Sequence, residues 1–250
     1  LYIFTDDQSH RSVSSYEEAH DWVQTPHIDK LAESGMRFTH CYTGNWCQPS
    51  RLSALTGLLQ HAANSFKITK YPMASYDPKK LPFFPAVLRK NGYETACIGK
   101  WHLGEDVEHG RDWDYSVIWD RGAGNAWAYY NGTLVRTNGG ERKALGGYST
   151  DRYTELAVDY IKDKKDSPKP WYLWLCYGGV HGPYTPADRH KDIYNDVKVD
   201  VPSDIFGPRP TKPEHLKNIT RWSKDKHGNA KGFDTQVKKY HRAVKSLDDG

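Results

Sequence analysis

Sulfur is scarce in this chain: four cysteines, at positions 41, 47, 97 and 176, and two methionines stand among 250 residues. The cysteines form no CxxC pair and no dense spacing, so neither a zinc site nor a disulfide scaffold is expected to organise the fold. Cys97 and Cys176 lie in apolar runs and are expected to be buried thiols. No stretch of about eighteen apolar residues occurs, which leaves no helix to span a membrane. Internal repeats and low-complexity tracts are missing too. So are an initiator Met and a basic leader: the chain opens on Leu1-Tyr2-Ile3-Phe4-Thr5, an apolar run like the interior of a strand. The N-terminus therefore reads as cut, with a signal peptide expected ahead of it and the protein placed in the periplasm or outside the cell.

What is present suits a globular domain. With 37% hydrophobic and 26% charged residues, the chain can bury one large core or two small ones. The formal charge of +4 is unevenly spread, because residues 209–245 hold eleven Lys and Arg against three acidic groups. Such a segment is either a solvated loop and helix face or an attractor for a polyanion. Nucleic acid is not expected as the partner, since no RNA- or DNA-binding motif accompanies the charge. Nine Trp and seventeen Tyr are many for so polar a chain. Several cluster in polar surroundings, as in Asp112-Trp113-Asp114-Tyr115 and Ala126-Trp127-Ala128-Tyr129-Tyr130, where flat rings suit either ordinary packing or sugar faces.

Local patterns alternate between strand and helix. Thr25-Pro26-His27-Ile28-Asp29 opens a short helix with Thr25 as N-cap, and Gly35 stops it. Residues 36–43 alternate and predict a strand, followed by a loop carrying Cys47 and a helix from about Ser50 to Leu55. Phe83 to Lys90 predicts a helix, Tyr93 to Ile98 a strand, Asp151 to Lys162 a helix and Trp171 to Tyr177 a buried strand. This order argues for an α/β fold with a mostly parallel central sheet and helices on both faces. The stretches 105–149 and 183–235 are too long for ordinary connections and are expected to be substrate loops.

In such sheets, ligands bind at the carboxyl ends of strands. That rule selects Asp6-Asp7, Cys47 to Arg51, Lys100 to His102, and His181. Adjacent carboxylates near a buried strand end want a cation, and oxygen ligands favour calcium or magnesium, although the pair alone is more often a surface turn. Pro49 suits a helix opening, which places Cys47 just before an N-terminus that favours anions. In an extended chain, Lys100 and His102 share a face and both reach one anion.

Cys47-Gln48-Pro49-Ser50-Arg51, followed by Leu55-Thr56-Gly57, resembles the signature of formylglycine-dependent (type I) sulfatases, members of the alkaline phosphatase superfamily. Gly99-Lys100-Trp101-His102-Leu103-Gly104 resembles that family's second motif, and His181-Gly182-Pro183-Tyr184 its later histidine segment. Asp6-Asp7-Gln8, residues 25–32 and Leu247-Asp248-Asp249-Gly250 are similar to further landmarks. Residues 1–250 are thus expected to be the N-terminal portion of a sulfatase catalytic domain. The family's later Asp-Asn or Asp-His metal pair, its following Lys and the C-terminal subdomain are not in the sequence, and Asp248-Asp249 matches a helix end rather than a ligand pair.

The resemblance implies a sulfuric ester hydrolase acting on a sulfated carbohydrate. It implies Asp6, Asp7 and the modified Cys47 as ligands of one calcium ion, Arg51 beside the formylglycine hydrate, and Lys100 on a sulfate oxygen. His102 is then the base that releases sulfate, and His181 the acid that protonates the leaving alcohol. A formylglycine-generating enzyme is the implied maturation partner. The basic segment and the aromatics favour a sulfated polysaccharide, and Gly110 to Tyr115 with Trp171 to Trp174 most resembles bacterial polysaccharide sulfatases. Two alternatives remain open: a phosphodiester or phosphonate monoester hydrolase of the same superfamily, and an inactive polyanion-binding homologue. The sequons Asn131-Gly132-Thr133 and Asn218-Ile219-Thr220 carry little weight, because such triplets arise by chance.

Overall fold

The apolar run near residue 171 becomes the spine of the molecule in the computed structural model, which describes residues 1–44, 46–62, 82–103, 109–119, 129–130, 132–220 and 222–250. It forms β6 (Trp171–Cys176), which pairs in parallel with β2 (Glu94–Lys100) on one side and β1 (Tyr2–Phe4) on the other. Beyond β2, β3 (Tyr115–Trp119) is also parallel, while β4 (Leu134–Thr137) and β5 (Arg142–Ala144) are antiparallel. The six strands run in the order β1-β6-β2-β3-β4-β5. The sheet is mostly parallel, as its alternating pattern predicts.

Strand alternation sorts the core into two clusters. Ala96, Ile98, Val117, Leu173 and Leu175 face one way and pack on α4 (Ser149–Lys164) and α5 (Phe233–Asp248). Cys97, Ile118, Trp174 and Cys176 face the other and pack on Leu52 and Leu55 of α2 (Cys47–Thr56) and on Phe83, which precedes α3 (Phe84–Lys90). Each fully buried Leu, Ile or Phe is worth roughly 1.5–3 kcal/mol. Burial pushes the Cys97 thiol well above its ordinary range and the Cys176 thiol up to about 12, so both serve as packing groups. One backbone approach requires glycine. Gly99 sits at φ +107, and a Cβ there would come within 1.9 Å of the Cys176 carbonyl oxygen. This close fit of β2 on β6 fixes where Lys100 emerges.

The first helix, α1 (Pro26–Ser34), has Thr25 at its N-cap and Gly35 at its C-cap. The Thr25 hydroxyl does not cap it, being engaged by Ser14 and Asp29 instead. Residues 36–43 do not form the expected strand. Every side chain there is exposed, and no described strand pairs with the segment, so alternation alone yields irregular chain. The expected long loop 105–149 instead carries β3, β4, β5 and the start of α4; residues 105–108, 120–128 and 131 of it lie outside the described set, as does Gly104 before it, and with them Trp127 and the sequon Asn131. Trp113, a candidate sugar platform, is fully buried edge-on to Trp101, with ring centroids 6.2 Å apart. It is a core residue.

Candidate active site

Backbone pairing beyond the strand ends brings the first cluster together. The Asp6 amide donates to the Gly179 carbonyl at 2.9 Å, and the Val180 amide to the Asp6 carbonyl at 2.7 Å, so the segment after β1 lies against the segment after β6. Asp7 then takes a left-handed φ of 56°, which separates two neighbouring carboxylates. Asp6 is 2% exposed, whereas the Asp7 side chain is 54% exposed. The Tyr240 hydroxyl on α5 clamps this turn by donating to the Asp7 carbonyl at 3.0 Å and accepting from the Ser9 amide at 2.8 Å.

Cys47 is the first residue of α2, not a loop residue ahead of it, and Trp46 is an extended N-cap that lends no side-chain bond. First-turn amides of a helix lack intrahelical partners and favour negative charge. The preceding loop is held down by Ser50, whose hydroxyl donates to the Gly44 carbonyl at 2.6 Å. Gly44 is needed there, because a Cβ would stand 2.7 Å from the Ser50 nitrogen.

One turn into α2, Arg51 is 1% exposed. Its Nη1 donates to the Lys100 carbonyl at 2.7 Å, its guanidinium lies 4.8 Å from the centre of the Phe4 ring, and its Nη2 stands 3.9 Å from Asp6 Oδ1. Lys100 Nζ bonds directly to Asp6 Oδ2. One buried carboxylate is therefore shared by two buried cations. Burial lowers the Lys100 pKa, opposed by Asp6 and reinforced by Arg51. The Nε and Nη2 of Arg51 have no hydrogen-bond partner among the described residues, nor have the two amide atoms of Gln48. Buried donors left in this way cost roughly 1–3 kcal/mol each, which marks the pocket as built for an anionic or oxygen-rich ligand.

His102 does not reach the site by strand alternation. The chain leaves β2 at Lys100, and His102, 1% exposed, sits at a left-handed φ of 61°. His181 stands on the outer side, with Nε2 3.6 Å from Asp7 Oδ2 and Nδ1 2.9 Å from the Gly182 carbonyl. A carbonyl partner selects the tautomer with hydrogen on Nδ1, leaving Nε2 toward Asp7. The Tyr129 hydroxyl fixes this segment by donating to the His181 carbonyl at 2.5 Å.

A cleft of 260 Å³ unites Asp6, Asp7, Gln8, Trp46, Cys47 and Ser50. Its donors, two carboxylates and an amide, are hard oxygen ligands of the kind that hold calcium or magnesium, and Asp6 keeps lone pairs beyond those given to Lys100. The residue types suit such an ion, although the ligand atoms of Asp6, Asp7 and Cys47 are not gathered within 4.8 Å of one another. A second grouping, His27, Asp248 and Asp249, does not call for one. Asp248 accepts from the His27 and Ile28 amides and from Lys245, and Asp249 is paired with Arg189, His190 and Lys245. It caps and locks helices, in keeping with its place at the end of α5.

The family model for sulfatases matches residues 1–250. The chain belongs to the sulfatase family. The N-acetylglucosamine-6-O-sulfatase of Bacteroides thetaiotaomicron is 31% identical over 207 residues, covering 82% of this chain and 35% of that protein. A solved structure in complex with its substrate, D-glucosamine-2-N,6-O-disulfate, superposes with a TM-score of 0.68 at 28% identity, covering 82% of this chain and 39% of that one. The yidJ sulfatase structure from Bacteroides fragilis shares the fold over 99% of this chain and 55% of its own, with a TM-score of 0.76 at 20% identity. The chain therefore spans well under two thirds of these relatives. Of the residues that hold this site together, Gly44 and Tyr240 stand outside the sequence candidates, while Tyr129, in the aromatic run 126–130, packs and holds the His181 backbone. Of Gly44 and Tyr240, only the glycine, close before the cysteine motif, carried a usable signal.

Proposed function

We propose that this chain carries the nucleophile-bearing part of a sulfuric ester hydrolase that removes sulfate from a sulfated carbohydrate. The observation that carries the reading is Arg51: a fully buried guanidinium beside Asp6 and Lys100, whose Nε and Nη2 make no hydrogen bond among the described residues, one turn from Cys47. Their N–H groups suit the oxygens of a sulfate ester. The glucosamine sulfate bound by one relative and the basic segment of this chain support a sugar substrate.

Asp6 and Asp7 would hold a calcium ion that would neutralise sulfate charge, and residue 47, as formylglycine hydrate, would supply the attacking oxygen. Arg51 and Lys100 orient the sulfate by hydrogen bonds, one Lys100 proton being already committed to Asp6. As an imidazolium, His181 would deliver the Nε2 proton to the departing sugar oxygen and be left as the neutral ring whose Nδ1–H is held by the Gly182 carbonyl. His102 accepts a proton from the residue-47 hydroxyl as sulfate is released. Export from the cytoplasm and maturation by a formylglycine-generating enzyme belong to the same proposal.

A screen of sulfated glycans with the natural full-length protein tests this reading, with Cys47→Ser as control. Sulfate release that disappears in the control, together with a residue-47 peptide at the aldehyde mass, is the expected result. An unmodified thiol in active protein overturns the mechanism, and phosphate release exceeding sulfate release from matched esters overturns the reaction class.

A further inference from the structure

Beside the cleft lies a second, larger cavity of 540 Å³, within the range of about 300–1,000 Å³ typical of small-molecule sites. His20, Tyr184, Trp222, Gln236, Tyr240 and His241 line it. Tyr184 and Tyr240 meet edge to face with centroids 5.5 Å apart, and Trp222 packs edge-on against Phe233 at 5.0 Å. Behind them, His241 is wedged against Trp22 and His20, whose rings stack 5.1 Å apart.

Two features give this cavity the character of a binding site rather than a packing defect. His241 is 6% exposed, and its Nδ1 has no hydrogen-bond partner among the described residues. The remaining wall mixes ring faces with the polar Gln236 and His20, the combination that recognises a pyranose: apolar C–H faces flanked by hydroxyls.

Its position ties it to the catalytic cleft. Tyr240 lines the cavity and bonds through its hydroxyl to the carbonyl of Asp7. Tyr184 donates its amide to the carbonyl of His181 at 3.4 Å. The cavity thus adjoins the backbone of Asp7, which lines the cleft, and of His181, which stands 3.6 Å from Asp7. Trp222 also brings it into the basic segment 209–245.

We infer that this cavity is a subsite for a sugar residue of a sulfated oligosaccharide, one that adjoins the residue losing its sulfate. The inference rests on the sulfatase reading above. Trp222 and Gln236 contribute a ring face and an amide to that sugar.

The test uses the natural full-length protein, Trp222→Ala and Gln236→Ala variants, and two kinds of substrate. One is 4-nitrocatechol sulfate, which ends at its own ring; the other is a set of sulfated tetrasaccharides from glycosaminoglycans and carrageenans. Gln236 is exposed on α5, so its variant keeps the fold even if Trp222→Ala does not. We expect the ratio of kcat/KM for tetrasaccharide to that for the aryl sulfate to fall at least about tenfold in each variant, through KM. An unchanged ratio overturns the subsite, as does a parent that turns over the aryl sulfate but no tetrasaccharide. Calorimetric titration of the same tetrasaccharides into Cys47→Ala protein separates this from the reaction itself. Binding weakened tenfold by either variant, where the protein with Cys47 intact releases no sulfate, upholds the cavity while the sulfatase reading falls; tetrasaccharide binding that neither variant weakens sinks the cavity.

Discussion

Behind the cleft, Asp6, Arg51 and Lys100 form a cluster at 2% exposure or less in which one carboxylate faces two cations. On the outer side, Asp7 lines the cleft and His181 stands 3.6 Å from it, with side chains 54% and 26% exposed and within reach of water. Adjacent residues, Asp6 and Asp7, thus live under opposite rules. A buried carboxylate with two cations is part of the structure, and its removal strands two charges in a poor dielectric. A half-exposed carboxylate is screened, and its loss is felt by a ligand more than by the fold.

The largest expected effect comes from Asp6→Asn. Leaving Lys100 and Arg51 without their counter-charge should cost roughly 3–5 kcal/mol in denaturant unfolding, together with loss of sulfate release. Asp7→Asn should change stability by no more than about 0.5 kcal/mol while weakening calcium binding, measured by titration of the metal-depleted protein. Equal stability losses for the pair would break the contrast between the two sides.

Next comes His181→Ala, which tests the outer side as chemistry without structure. Turnover of unactivated sugar sulfates should fall by roughly 10²–10⁴-fold, the usual span for a lost general acid, while an aryl sulfate with a good leaving group should lose far less. Equal losses on the two substrates would remove His181 from that role.

How much of this was legible beforehand depends on the kind of signal. Strand β6 and helices α1, α3 and α4 were readable because apolar periodicity, Pro26 and Gly35 act locally. The strand expected over 36–43 failed because alternation states a preference and cannot supply a partner. Strands β3 to β5 were hidden in a stretch read as loop, since a short antiparallel ribbon leaves little periodic trace. At the site, the cysteine motif named Cys47 and Arg51, and strand ends named Asp6, Lys100 and His181. Which carboxylate is buried could not be read, because that depends on the left-handed turn at Asp7 and on pairing with residues 179 and 180. In the basic segment 209–245 the two readings divide the residues between them. Arg209, Lys217, Lys238, Arg242 and Lys245 are bound to acceptors within the fold.

His241 sharpens the rule that burial preserves a charge only where a counter-charge accompanies it. Burial under Tyr240 and Trp22 lowers its pKa to about 4, with a further push from the neighbouring His20. The unfolded chain therefore takes up a proton near pH 6.5 that the native state refuses until about pH 4. Stability should fall as pH drops through that window, by up to roughly 3 kcal/mol, and be unaffected by this group above it. His241→Gln should flatten that part of the profile in thermal unfolding. Asp249, held at about 2 chiefly by Lys245 and His190 against the opposing cost of burial, loses its contribution only at lower pH, so the two groups separate.

The smallest expected effect concerns how the outer side is held. Tyr129 is 5% exposed and donates to the carbonyls of His181 and, at 3.3 Å, Gly178. Burial pushes its phenol well above the ordinary range, so it remains a donor at any pH the enzyme meets. Tyr129→Phe keeps the ring and deletes that donor, at a cost of about 1 kcal/mol. Because Tyr129 holds the backbone of His181 rather than the substrate, the loss should appear as a fewfold drop in kcat on sugar sulfates with KM unmoved. The drop should shrink for aryl sulfates, which depend less on an acid at His181. A purely structural role would instead lower the thermal midpoint and depress both substrates alike, and the two sides would then differ in exposure but not in function.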